Sequence, residues 1–178
     1  MEHARPLPCP ANCAGVTLIQ SLIAMAVLAI LTGMALPAMQ QTRDRLQADS
    51  LRMQLASALA TARNTAITER RPIAACPTDD GVTCGRDWAR GWMLYAPATP
   101  SSGEARSAGP LLVQQHARSR LSAWGSQAKP RLQFRPDGRL NGSNQSVIFC
   151  LDGASQGKVV VSLSGRIRSE RPRRPVAC

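Results

Sequence analysis

Aromatic side chains are scarce in this chain, at 3% of 178 residues. That scarcity argues against RNA-binding modules that stack successive bases on aromatic platforms. Histidine is rarer still: only His116 lies beyond the first fifteen residues, and no C-x-x-C pair occurs. A zinc site is disfavoured on both counts. The acidic residues form no pair suited to acid–base chemistry, and no Ser/His/Asp or Cys/His constellation is legible. The chain therefore reads as no enzyme, with no cofactor and no metal. Acidic residues are also outnumbered two to one, 11 against 22 basic, for a formal net charge of +11. An excess of this size favours a polyanionic partner such as DNA, anionic lipid or an acidic surface polymer.

One long hydrophobic run is present. Leu22 to Leu36 is nearly unbroken and ends at Pro37, and Gly15-Val16-Thr17-Leu18-Ile19-Gln20-Ser21 stands directly in front of it. A secretory signal peptide is cut after its apolar region. A cut between Gly15 and Val16 would instead leave the apolar segment as the mature N-terminus. This arrangement resembles the N-terminus of type IV pilins and pseudopilins, in which a prepilin peptidase removes a short leader after a Gly. Counted from Val16, Pro37 falls at position twenty-two, where pilins commonly carry a helix-kinking Pro. Two positions depart from the pattern. Val16 replaces the usual Phe, and Gln20 replaces the Glu that neutralises a neighbouring subunit's N-terminal amine in the filament. A buried unpaired charge is costly, and Gln offers hydrogen bonds but no charge. Gln20 thus suits a rare or tip subunit better than a bulk one. The resemblance implies processing and methylation, a single-pass inner-membrane anchor and a periplasmic C-terminal domain.

Residues 1–15 read as the leader, 16–39 as the transmembrane and filament-core helix, and 40–71 as its amphipathic continuation. Between Gln40 and Arg70 there is no Gly or Pro, and Ala48, Leu51, Leu55, Leu59, Ala62 and Ala66 recur at three- and four-residue steps. Residues 72–164 carry short strand patterns at Ile73–Cys76, Trp92–Ala96, Leu111–Gln115, Leu132–Phe134, Val147–Leu151 and Val159–Leu163, with Gly, Pro, Ser and Asp between them. One helix followed by strands gives an α+β, pilin-like fold with the helix held against an antiparallel sheet. Cys9 and Cys13 leave with the leader. Cys76, Cys84, Cys150 and Cys178 remain, an even set that suits two disulfides outside the cytoplasm. Of three possible pairings, Cys76–Cys84 with Cys150–Cys178 is the natural one.

Within the pilin class the chain resembles the GspH/FimT pseudopilins. The residues that carry this are Ala62-Arg63-Asn64-Thr65-Ala66-Ile67, Arg70-Arg71-Pro72, Cys76-Pro77, Cys84, Asp87-Trp88 ahead of Gly91-Trp92, and Phe134-Arg135-Pro136-Asp137-Gly138. Cys150, Gly165-Arg166-Ile167-Arg168 and the closing Cys178 complete the set. Some FimT-like members are linked to DNA uptake through a Gly-Arg-x-Arg motif, which Gly165 to Arg168 fit.

The residues support that link on their own. Lys158 to Cys178 hold Lys158, Arg166, Arg168, Arg171, Arg173 and Arg174 against Glu170 alone, a net of +5. Arginine grips phosphate oxygens with a planar fork. Pro172 and Pro175 discourage regular structure, so 165–178 reads as an extended basic tail pinned by Cys178. The implied function is a type IV minor pilin that binds double-stranded DNA without sequence preference, for natural transformation or pilus biogenesis. The alternative is a structural GspH-like pseudopilin of a type II secretion system. A tethered binder of anionic lipid is a third reading. Other pilins in a filament and the prepilin peptidase are the implied protein partners. Trp88 and Trp92 read as packed under the sheet rather than as a binding platform.

Overall fold

The computed structural model describes residues 17–98, 110–116, 120–126, 131–172, 174 and 176–178, with the backbone alone described at 37 and 38. Helix α1 spans Leu18–Thr68. Its residues belong to two compact units, divided after Gln41. In the first unit the described side chains, among them Leu22, Ile23, Leu28, Ile30 and Leu31, are exposed, and the helix is long and apolar enough to cross a membrane. The Pro37 side chain, expected to kink the helix, lies outside the described residues, as do Gly15 and Val16.

The second unit, Thr42–Cys178, contains the rest of α1 and eight strands. The strands are β1 (Ile73–Pro77), β2 (Gly91–Tyr95), β3 (Leu112–Gln115), β4 (Leu121–Gly125), β5 (Leu132–Phe134), β6 (Gln145–Leu151), β7 (Ala154–Val161) and β8 (Ile167–Glu170). They form two four-stranded antiparallel sheets, ordered β3-β2-β1-β5 and β4-β6-β7-β8. The sequence pattern predicts one antiparallel sheet, and the fold divides its strands between two. The second sheet gains β4 and β8, whose residues carry weak strand signals: β4 is a short Leu-Ser-Ala-Trp-Gly, and β8 lies inside the basic tail.

The tail is correspondingly less free than its prolines suggest. Pro172 and Pro175 follow β8 rather than interrupt it. The chain end then returns to the sheet. Ser155 N–H donates to the Val176 carbonyl (2.8 Å) and Cys178 N–H to the Gly153 carbonyl (2.9 Å).

One hydrophobic cluster joins the three layers. Ala48, Leu51, Leu55, Leu59, Ala62 and Ala66 of α1 are all buried. They share the cluster with Ile73, Trp92, Leu94, Leu132 and Phe134 of the first sheet and Val147, Phe149, Val159 and Val161 of the second. Trp88 is buried among them. It sits where Asp87 Oδ1 accepts Ala89 N–H (2.9 Å) and Ala123 N–H (2.8 Å), tying the loop before β2 to β4.

Disulfides Cys76–Cys84 and Cys150–Cys178 close the two chain segments flanking this core. Inside the first loop the Asp80 carboxylate accepts N–H bonds from Thr83 and Val82 and hydroxyl bonds from Thr83 and Thr78. Those bonds hold its pKa well below the usual carboxylate range.

Because Leu59 is fully buried between both sheets, Leu59→Ala is expected to cost about 3 kcal/mol. Urea denaturation, with disulfides intact, measures this as a lower midpoint at unchanged slope.

Candidate functional site

The Gly-Arg-x-Arg segment begins at a crowded turn. After β7, Ser162 N–H donates to the Arg166 carbonyl (2.9 Å) and Gly165 N–H to the Ser162 carbonyl (2.8 Å). Gly165 takes φ +79°, and a Cβ there would stand 2.0 Å from the Gly138 carbonyl oxygen and 2.9 Å from Arg63 Nε. That same oxygen accepts the Arg63 Nε–H (3.0 Å). Only glycine fits the conformation and the gap together. The Pro136-Asp137-Gly138 turn, helix α1 and the start of β8 therefore lock at one point, which sets where Arg166 emerges.

From there strand alternation sorts the side chains. Ile167 packs on the core, and Ser169 accepts a hydrogen bond from the Arg52 guanidinium. Arg166 and Arg168 face outward and are exposed. Among the described residues neither side chain has a hydrogen-bonded or ionic partner.

The other predicted cations stand differently. Lys158 is paired in register with Glu170, Nζ to Oε2 3.4 Å. Arg171 makes a two-pronged bridge to Asp49 of α1, with Nε–Oδ1 at 2.9 Å and Nη2–Oδ2 at 2.5 Å. Arg174 is exposed and, with Arg45 and Arg171, lines a groove of about 500 Å³. Arg173 lies outside the described residues. The structure thus places Arg168 on edge strand β8 with Arg166 in the turn just before it, and Arg171 with Arg174 at a separate groove.

Asp49 and Arg52 of α1 are functional residues that the sequence pattern does not single out. Arg52 is only 5% exposed and bonds both Asp49 (2.9 Å) and Ser169. The signal was present: position 52 falls between Leu51 and Leu55, inside the apolar stripe at the fourth step from Ala48. Burial by itself would raise the Asp49 pKa. Hydrogen bonds from Arg52 and Arg171 outweigh it and hold the carboxyl below its ordinary value.

Gln20 does local work. Its Oε1 accepts the Thr17 N–H at 3.4 Å, the spacing of a capping box at the start of α1. Trp92 is buried against His116, with ring centroids 4.7 Å apart, and burial lowers the His116 pKa. Among the described residues, no three His, Cys, Asp or Glu side chains gather as metal ligands would.

Comparison with known proteins gives a consistent picture. The family model described as type II transport protein GspH matches residues 52–165. The fold is similar to the type IV minor pilin FimU of Pseudomonas aeruginosa, at TM-score 0.60 and 23% identity, over 75% of this chain and 95% of that one. It is also similar to the minor pseudopilin EpsH of the Vibrio cholerae type 2 secretion system, at TM-score 0.51 and 13% identity, over 72% and 99% respectively. No curated protein sequence matches the chain.

Gly165→Ala is expected to destabilise the domain by about 3 kcal/mol, because φ is strained and backbone blocks the methyl. Thermal unfolding followed by circular dichroism reads this out. The Asp49 bridge makes a second prediction. A depressed carboxylate pKa stabilises fully above the unfolded value of 3.8 and is lost as pH falls through the folded value. Asp49→Asn should therefore flatten the decline of stability below about pH 4 relative to the parent chain, as measured by urea unfolding across that range.

Proposed function

The chain belongs to the GspH/FimT family of minor pilins and pseudopilins, and from that membership we propose that it is a type IV minor pilin that binds DNA without sequence preference through Arg166 and Arg168. The supporting observation is the contrast among the arginines. Arg52, Arg63, Arg71 and Arg171 are each committed to a protein acceptor. Arg168 on edge strand β8 and Arg166 just before that strand are exposed and have no acidic neighbour bonded to them among the described residues.

Two unpaired forks two residues apart have backbone positions up to about 7 Å from each other, close to the spacing of successive phosphates on an extended nucleic-acid strand. Binding of this kind follows the backbone and is blind to sequence, as uptake of environmental DNA requires. Lys158 and Arg171 raise the local potential while remaining bridged; Arg173 and Arg174 extend the positive field.

Assembly follows from the same membership. The apolar first unit anchors the subunit in the inner membrane and enters the filament core among other pilins. A prepilin peptidase frees Val16 by cutting after Gly15, and methylation follows; the domain from Thr42 onward is periplasmic. The description of the matching family favours a second reading, a structural subunit of a type II secretion pseudopilus with no DNA role.

A labelled duplex titrated at two salt concentrations separates the two. The DNA reading expects salt-sensitive binding that Arg166→Ala with Arg168→Ala weakens by roughly tenfold or more. The slope of log affinity against log salt should become shallower by about two. Binding that is absent, or indifferent to both changes, leaves the secretion reading.

A further inference from the structure

Three tryptophans occur in the chain. Trp88 and Trp92 are 1% and 0% exposed, whereas Trp124 is 49% exposed. An exposed Trp is unusual, because the indole is among the largest apolar surfaces a protein can bury. Its place in the sheet is specific. In β4, Leu121 and Ala123 face the core, so Ser122 and Trp124 face the opposite side.

On that outer face the register runs Trp124, Ile148, Lys158, Glu170 across β4, β6, β7 and β8. The next row carries Ser146, Val160 and Arg168. With strands about 4.8 Å apart, Trp124 stands roughly 10 Å from Lys158 and 16 Å from Arg168 by backbone position. A shallow groove of about 320 Å³, lined in part by Ile148, Lys158, Glu170 and Val176, opens beside the Trp124 row.

One face therefore offers a flat aromatic surface at one side and two unpaired guanidinium groups at the other. Glu170 lies in the same row, but its charge is taken up by Lys158 at 3.4 Å. A double helix keeps its bases stacked inside and would present only phosphates to this face. A single strand exposes its bases, and two or three nucleotides span the distance between the aromatic and the arginines.

We propose that Trp124 stacks on a base of single-stranded DNA whose phosphates lie on Arg166 and Arg168, so that the protein holds single-stranded stretches or frayed ends more tightly than intact duplex. This rests on the DNA-binding reading of those arginines. One indole cannot form the platform of an RNA-binding module, but one stacked base changes affinity by roughly tenfold. Stacking is tolerant of base identity, so it leaves binding non-sequence-specific.

The full chain in detergent micelles is titrated with an oligothymidine of about twelve nucleotides, with a duplex of equal length, and with inorganic polyphosphate. Trp124 is the one tryptophan open to solvent, so its emission reports contact with a base directly. Quenching by the oligothymidine but not by polyphosphate is expected. Trp124→Ala should weaken single-strand binding roughly tenfold and duplex binding less than about twofold, with Trp124→Phe intermediate. An unchanged melting temperature in both variants excludes misfolding. If Trp124→Ala leaves single-strand affinity intact while the arginine changes abolish it, stacking is overturned and the DNA reading stands. Equal weakening of both DNAs, or quenching by polyphosphate, also overturns it. If the parent chain binds neither DNA, both readings fall.

Discussion

One face of helix α1 has to satisfy two sheets at once. Ala48, Ala58, Ala62 and Ala66 let the sheets approach closely, while Leu51, Leu55 and Leu59 fill the space between them. Arg52 lies on this same face, almost without solvent. A buried guanidinium is tolerable only when bonded, and its bonds go to Asp49 beside it and to Ser169 on β8. The charge that the helix buries therefore fixes the edge strand, and Arg171, two residues on, completes the clamp from the solvent side. Removal of Asp49 or Ser169 leaves the buried Arg52 short of a partner, which costs more than the contact itself contributes.

The arginines of this protein divide by environment rather than by chemistry. Arg63 is drawn into the crevice where Gly138 and Gly165 meet, and supplies the donor for an otherwise crowded carbonyl. Arg166 and Arg168 are exposed, and their side chains bond to no acceptor among the described residues. Their desolvation by a phosphate backbone would be offset by charge-assisted bonds, whereas Arg171 would first have to give up Asp49. A net charge of +11 alone makes no such distinction.

The first unit imposes a different constraint. Its described apolar side chains are exposed, and their burial calls for lipid or other apolar helices. At its start Gln20 serves the backbone of its own helix by accepting from Thr17. A neutral side chain at this position meets the local requirement of an exposed helix N-terminus without placing a charge among apolar neighbours.

Periodicity and punctuation determined much of this architecture. The three- and four-residue recurrence from Ala48 to Ala66 specified the buried helix face, because no other conformation brings those residues to one side. Alternation and turn residues located six strands, and the Gly-Arg-x-Arg segment could be read directly. Tertiary structure decided the rest. Two sheets instead of one, the strand nature of Ile167–Glu170 and the exposure of Trp124 all depend on pairings between residues far apart in sequence. Which arginines remain unpaired depends likewise on partners 75 to 122 residues away, as with Arg63 and Gly138 or Arg171 and Asp49. Local sequence sets which groups a segment can offer; only the folded chain determines which of those groups are already taken.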